Sequence, residues 1–282
     1  MIAELIDRKQ VKADVKQLLA DAQVSPKGFI ALYLGLNVVL NLLVSFSGGA
    51  GLLSTFVNIL TTLLSMVLSA GFVLYCMAIR RGERAEYLTL FDGFSFVGKI
   101  ILLNIVMYIF IFLWSLLFVI PGVIASYRYR FALYNLYENP GIGVMEALDM
   151  SKRQTLGYKG QLFMLDLSYL GWGLLGSIPL LVCYYVAYSN LFQAAFLYAN
   201  GTLQSIPTDP TVYLGLPDWG WTLIAGLWSL AVALFYLANY QCVELAYFET
   251  AKRTSGVGEG AEPQQDQNPW NGGTDPDGLG GF

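Results

Sequence analysis

Residues 100–137 read IILLNIVMYIFIFLWSLLFVIPGVIASYRYRFALYNLY. An apolar run long enough to cross a bilayer meets Pro121-Gly122, and a shorter segment carrying Arg128 and Arg130 follows. Whether that shorter segment returns through the membrane decides the fold, because it sets the side on which everything after residue 138 lies. Four other apolar runs, 28–46, 52–79, 162–188 and 219–248, meet the length of about 20 residues that a helix needs to cross the hydrocarbon core. Charged residues make up only 13% of the 282-residue chain, and its mean hydropathy is +0.54. A soluble domain carries about a quarter charged residues, so lipid is expected to cover much of this one.

The basic residues settle the parity. Arg8, Lys9, Lys12, Lys16 and Lys27 precede the first run; Arg80, Arg81, Arg84 and Lys99 follow the second. Lys152, Arg153 and Lys159 precede the 162–188 run, and Lys252 and Arg253 close the last. The gaps 47–51 and 189–218 hold none, and the only other Lys or Arg residues of the 16 are Arg128 and Arg130. Positive charge marks the inner side. Five crossings would put Lys152, Arg153 and Lys159 outside, and a return through 123–137 repairs this. In that reading Pro121 ends the incoming helix and Gly122 tolerates the turn, so the pair forms the tip of a helical hairpin. The alternative is that 100–120 dips in and returns without crossing.

The expected architecture is therefore all-α: a polytopic membrane helix bundle of six transmembrane helices with a Pro-Gly hairpin and amphipathic helices on the inner surface. Residues 1–27 form a cytoplasmic amphipathic helix, since Ile2, Leu5, Ile6, Val11, Val15, Leu18 and Leu19 share one face. That charged start leads to no expected signal peptide. The membrane domain covers 28–251, with spans 28–46, 52–79, 100–120, 123–137, 162–188 and 219–248. Asn139-Pro140 reads as the cap and first turn of a second interfacial helix over 141–156, with Ile142, Met145 and Leu148 on one side. Residues 191–198 suggest a short interfacial helix, and Tyr184, Tyr185, Tyr188, Trp219 and Trp221 an outer aromatic belt. The tail 252–282 is expected to be disordered and acidic, with Glu259, Glu262, Asp266, Asp275 and Asp277 accounting for the net charge of -4.

Chemistry is sparse. The chain has no histidine, and therefore lacks the commonest general base and metal ligand. Cys76, Cys183 and Cys242 lie far apart and read as buried hydrophobes, with no metal spacing or disulfide framework. No catalytic motif occurs, so no enzyme, metal or cofactor is expected, and the lack of a basic patch argues against nucleic acid as a partner. Gly171-Trp172-Gly173-Leu174-Leu175-Gly176 fits G-x-G-x-x-G but lies mid-span without a preceding strand, so it reads as helix packing. Ala225, Ser229 and Ala233 give a similar small-residue face.

Charges inside spans are the functional candidates: Arg128, Arg130, Asp166 and Glu244. At 1.5 Å per residue, Asp166 lies about 10 Å, Arg130 and Glu244 about 12 Å and Arg128 about 15 Å from the inner boundary. Arg128 and Arg130 point about 200° apart on a continuous helix, so the expectation is one carboxylate partner each. The cluster is either a polar cavity for an ion, proton or lipid headgroup, or a set of structural ion pairs with snorkelling side chains.

One ordered set of residues carries a family resemblance: Pro121-Gly122, Tyr127-Arg128-Tyr129, Glu138-Asn139-Pro140, Glu146-Ala147, Ser151, Gly157, Lys159, Leu162-Phe163, Leu167-Ser168 and Gly171-Trp172. It resembles a family of bacterial integral membrane proteins named only as domain of unknown function 975. Ala246-Tyr247-Phe248-Glu249 adds a weaker match. The chain departs at Asn239-Tyr240, where that family often shows Pro-Tyr. The resemblance implies an integral membrane protein and supplies no reaction. The expectation is a bacterial inner-membrane protein with both termini cytoplasmic, a non-enzymatic module that binds a membrane-protein partner, a lipid or a small substrate. Anionic lipids of the inner face are the expected bilayer contact of its basic helices. The alternative is a small transporter or permease subunit built on the inner polar cluster.

Overall fold

The computed structural model describes residues 4–47, 51–204 and 217–258. Residues 205–216 of the expected outer loop and the acidic tail from 259 onward lie outside the described residues. Among the described residues the fold is all-helical: α1 (Arg8–Ala20), α2 (Pro26–Phe46), α3 (Leu52–Arg81), a 3-10 stretch (Tyr87–Phe96), α4 (Val97–Leu117), α5 (Val119–Arg128), α6 (Ala132–Glu138), α7 (Val144–Gln154), α8 (Lys159–Ala199) and α9 (Asp218–Ser255). Five segments are long and apolar enough to cross a membrane: Pro26–Phe46, Leu52–Arg81, Tyr87–Leu117, Lys159–Ala199 and Trp219–Ser255.

α3, α8 and α9 are 30, 41 and 38 residues long. At 1.5 Å per residue they run about 45 to 60 Å, longer than a hydrocarbon core of about 30 Å. Their two ends differ. On the side where the basic residues gather, the end of α3, the start of α8 and the end of α9 bury Tyr75, Cys76, Leu162, Leu165, Cys242, Val243, Tyr247 and Phe248 in one core with Val15 of α1 and Phe131 and Tyr134 of the α6 region. Toward the other end, Phe46, Leu52, Phe56, Tyr185 and Phe192 stand exposed. The molecule is a packed helical base carrying apolar helices whose outer surfaces suit lipid.

α2 runs antiparallel to α9: the Phe46 and Trp219 rings stack at 6.0 Å, and Ser45 Oγ lies 3.0 Å from Thr222 Oγ1. Gly226 permits that approach, since a Cβ there would sit 2.8 Å from Val38 Cγ2. α3 holds the 3-10 stretch closer still: a Cβ on Gly71 would lie 1.9 Å from the Leu90 carbonyl oxygen. By contrast a Cβ on Gly171 or Gly173 would meet nothing within 4 Å, and Ser229 is exposed. Of these small residues, Gly176 faces Val232 of α9 at van der Waals distance and Ala233 is buried in the core, while Gly171, Gly173 and Ser229 are not at close contacts. Residues 191–198 do not form a separate helix; they continue α8. That helix contains Pro179, which cannot donate to the carbonyl of Leu175 four residues back. Trp228 Nε1 of α9 donates to that carbonyl instead, at 2.8 Å, so the proline is accommodated by a neighbouring helix.

Three local expectations shift. α1 starts at Arg8 because Asp7 caps it, its Oδ1 accepting from Lys9 N at 2.9 Å. It lies against the bundle, with Val15 buried. Asn139 does not start a helix. It ends α6 and turns the chain, its Oδ1 accepting from Gly141 N at 3.0 Å, and α7 begins at Val144, where Glu146 Oε2 accepts from Gly143 N. On α7 it is Ala147, Leu148, Ser151 and Gln154 that are buried, while Met145 is exposed.

The third shift concerns the hairpin. The chain reverses at Phe118, whose extended backbone (φ -162°, ψ 156°) ends α4 three residues before Pro121. Pro121 and Gly122 lie in the first turns of α5, where a proline's missing N–H costs no intrahelical bond. Gly122 serves contact: a Cβ there would fall 2.0 Å from Ser115 Oγ across the reversal. Lower down, the Phe110 and Tyr129 rings stack at 5.9 Å. The return segment is not one continuous helix, since α5 has 10 residues and α6 seven, separated at Tyr129–Phe131.

Candidate functional site

The break between α5 and α6 organises the polar cluster. A helix break leaves N–H and C=O groups without intrahelical partners, and Ser151 of α7 takes one of each. Its Oγ accepts from Phe131 N at 3.1 Å and donates to the Arg128 carbonyl at 2.9 Å. Thr155 Oγ1 adds a second, longer contact to the same carbonyl, 3.3 Å. Ser151 and Thr155 are fully buried. α7 is tied to α6 by a reciprocal amide pair, Asn135 with Gln154, both bonds 2.8 Å. Gly157, at φ +85°, then turns the chain from α7 into α8, a left-handed conformation that suits glycine.

Because the backbone breaks at residue 129, Arg130 is no longer bound to the helical phase of Arg128. Its guanidinium reaches two helices at once. Nη1 and Nη2 donate to Asp166 Oδ2 and Oδ1 of α8 at 2.6 and 2.9 Å, and Nε and Nη2 donate to Glu244 Oε1 and Oε2 of α9 at 2.6 and 3.1 Å. Nη2 also donates to Tyr240 Oη, which donates in turn to Asp166 Oδ1 at 2.9 Å. Tyr127 Oη donates to Asp166 Oδ2 at 2.7 Å. The Glu244 side chain is 5% exposed, that of Arg130 17% and that of Asp166 30%. Only an arginine offers a planar fork that can serve two carboxylates by paired hydrogen bonds.

The expectation of one carboxylate for each arginine therefore fails. Arg130 holds both Asp166 and Glu244, and Arg128 makes no ion pair among the described residues. Arg128 contributes its carbonyl instead. Tyr127 and Tyr240 complete the cluster and were not among the charged candidates. Tyr240 lies four residues before Glu244 on one face of α9, and that spacing is the signal that could have found it.

A second set of contacts fixes where the return segment ends. Glu138, the last residue of α6, takes Arg81 at the end of α3 on Oε1 (3.0 Å) and Lys252 near the end of α9 on Oε2 (2.7 Å). Lys99 Nζ donates to the carbonyls of Pro140 and Ile142. Arg80 pairs with Glu249, and Arg253 with Glu4. Cys76 and Cys242, far apart in sequence, meet through their side chains between α3 and α9, both fully buried. Lys159, Gly171 and Trp172 take no part in the Arg130 cluster; Trp172 stacks on Tyr236 at 5.8 Å.

Among the described residues, no group of three His, Cys, Asp or Glu side chains could hold a metal ion. The arrangement is a clasp: it joins α8 and α9 to the α5–α6 break through Arg130 Nε, Nη1 and Nη2, the Tyr127 and Tyr240 hydroxyls and two carboxylates.

Residues 116–202 match the model of the family described as "Protein of unknown function (DUF975)", the family whose resemblance the central block carries. The match takes in Arg130, Asp166 and Ser151, while Glu244 and Tyr240 lie beyond it. No curated protein and no solved structure matches the chain.

Proposed function

We propose that the chain is a non-enzymatic module of a bacterial cell membrane that binds a protein partner or lipid, with both termini on the cytoplasmic side. The closed state of the Arg130 cluster carries this reading. A permease or proton relay built on Arg130, Asp166 and Glu244 needs a vacant ligand position, and here each carboxylate is taken by guanidinium or tyrosine donors. The cluster acts as an internal fastener, which leaves the surfaces of the bundle to do the binding.

In this reading the chain crosses six times. The fourth of these crossings is the broken pair α5–α6, and its support is Glu138. That carboxylate meets Arg81 and Lys252, both in the last turns of helices that run toward the basic side. The chain has therefore come back to that side before α7 begins. The buried base of the bundle then faces the cytoplasm, as the positive-inside rule requires.

Extraction in mild detergent followed by native mass spectrometry tests the functional reading. The expected result is a chain that leaves the membrane with a protein or lipid still bound. A bare chain that conducts ions or accumulates a solute in proteoliposomes would overturn it in favour of transport.

A further inference from the structure

Between α1, the start of α2, α8 and α9 lies a cavity of about 880 Å³. One wall carries Lys12, Lys16 and Lys27, and the lining contains no Asp or Glu. Among the described residues, none of these three lysines forms an ion pair. Lys12 Nζ donates to Ser168 Oγ at 2.8 Å and sits 3.8 Å from the centroid of the Tyr169 ring; Lys27 Nζ lies over the Phe235 ring at 5.9 Å. Burial, and after it the nearby Arg8 charge, lowers the Lys12 pKa from the usual lysine value. The first turn of α2, through Ser25 and Lys27, also opens on the cavity and adds the partial positive charge of a helix N-terminus. The lining also has an apolar part beside the lysines: Trp172 stacks with Phe235, which is 69% exposed.

We infer that this cavity binds one anionic glycerophospholipid, its phosphate seated among Lys12, Lys16 and Lys27 and its acyl chains leaving along Trp172 and Phe235. The inference deepens the reading of the chain as a membrane binding module and rests on it. The chemistry matches on both ends. A phosphodiester supplies negative charge to three ammonium groups that have no carboxylate partner among the described residues, and charge-assisted hydrogen bonds from lysine suit its oxygens. Cationic side chains that grade into aromatic and aliphatic surface fit a molecule whose head is anionic and whose tail is apolar. A soluble phosphate would use only the first half of this surface. The position, where α1 gives way to the first membrane helix, is where a headgroup resides.

Native mass spectrometry of the full chain, with phosphatidylglycerol or phosphatidylcholine added to the detergent, tests the site. Wild type is expected to retain one phosphatidylglycerol in preference to phosphatidylcholine. Each lysine near an anionic lipid contributes about 1 kcal/mol, so Lys16→Gln/Lys27→Gln should weaken phosphatidylglycerol retention about tenfold or more. Both side chains are exposed, so the double variant should fold, and unchanged thermal unfolding would confirm that. Lys9→Gln/Arg153→Gln, the same charge change away from the cavity, should bind like wild type. Trp172→Ala should weaken lipid retention and leave any binding of glycerol phosphate unchanged. Equal retention by wild type and the lysine variant overturns the site. Competition by millimolar glycerol phosphate as strong as that of the lipid overturns the lipid as occupant. If lipid selectivity is absent while a protein partner persists, the cavity assignment fails and the module reading stands; a bare, solute-conducting chain removes both.

Discussion

Arg130→Ala should destabilise the folded protein by about 3–5 kcal/mol, because it strands two carboxylates in a largely dry site. Glu244 is 5% exposed at its side chain, and Asp166 keeps only tyrosine donors once the guanidinium is gone. Thermal unfolding in detergent should show a large drop, accompanied by low yield. Arg130→Lys should recover little, since one ammonium cannot reproduce paired bonds to two carboxylates. The triple change Arg130→Met/Asp166→Asn/Glu244→Gln should recover most of the loss, as removing a buried ionic group whole is far less costly than breaking it. Arg128→Ala should behave nearly like wild type, since only its backbone carbonyl is engaged by the break. A triple variant as unstable as Arg130→Ala would mean that the cluster's charge serves something other than a clasp.

Gly71→Ala is expected to have the next largest effect. The new methyl would lie 1.9 Å from the Leu90 oxygen and 2.4 Å from its carbonyl carbon, both backbone atoms that no rotamer change can move. Relief requires the 3-10 stretch to lift off α3, which exposes Leu90, a fully buried side chain. Overpacking of this kind costs about 1–3 kcal/mol, and more where backbone must shift. Gly171→Ala supplies the contrast. It falls in the glycine-rich run and in the block that resembles the family, yet has open space around it, so it should be neutral or gain up to about 1 kcal/mol from better helix propensity. Unfolding temperatures of the two variants, measured side by side, check the pair. The reverse order would mean that the α8 glycines, and not Gly71, carry the close contacts.

The sequence made some of this plain and concealed the rest for identifiable reasons. The five long apolar runs are visible because length and hydropathy act locally, and the Lys and Arg bias is visible because it is one-dimensional. The α5–α6 break is not. Tyr129, Arg130 and Phe131 contain no glycine or proline, and what stabilises the break is Ser151, 20 residues beyond Phe131. Without the break, Arg128 and Arg130 look equivalent, and one partner each is the natural expectation. With it, Arg130 alone turns toward α8 and α9. Pro121 and Asn139 misled in the same way: each has two common positions at a helix end, and tertiary contacts chose the less obvious one. Gly122 against Ser115, and Lys99 bonded to the Pro140 carbonyl, are those contacts. The tyrosines of the cluster were missed because a search for charge passes over neutral donors.

The central claim is that residues 119–138 bring the chain back to the basic side. Single-cysteine labelling tests it most directly. In a Cys183→Ser background, which keeps only the fully buried Cys76 and Cys242, cysteines are placed at the exposed Gly143 and Gln204 and treated with a membrane-impermeant maleimide. The account predicts that Gln204→Cys labels in intact cells and that Gly143→Cys labels only after the membrane is opened. Labelling of Gly143→Cys in intact cells would contradict it.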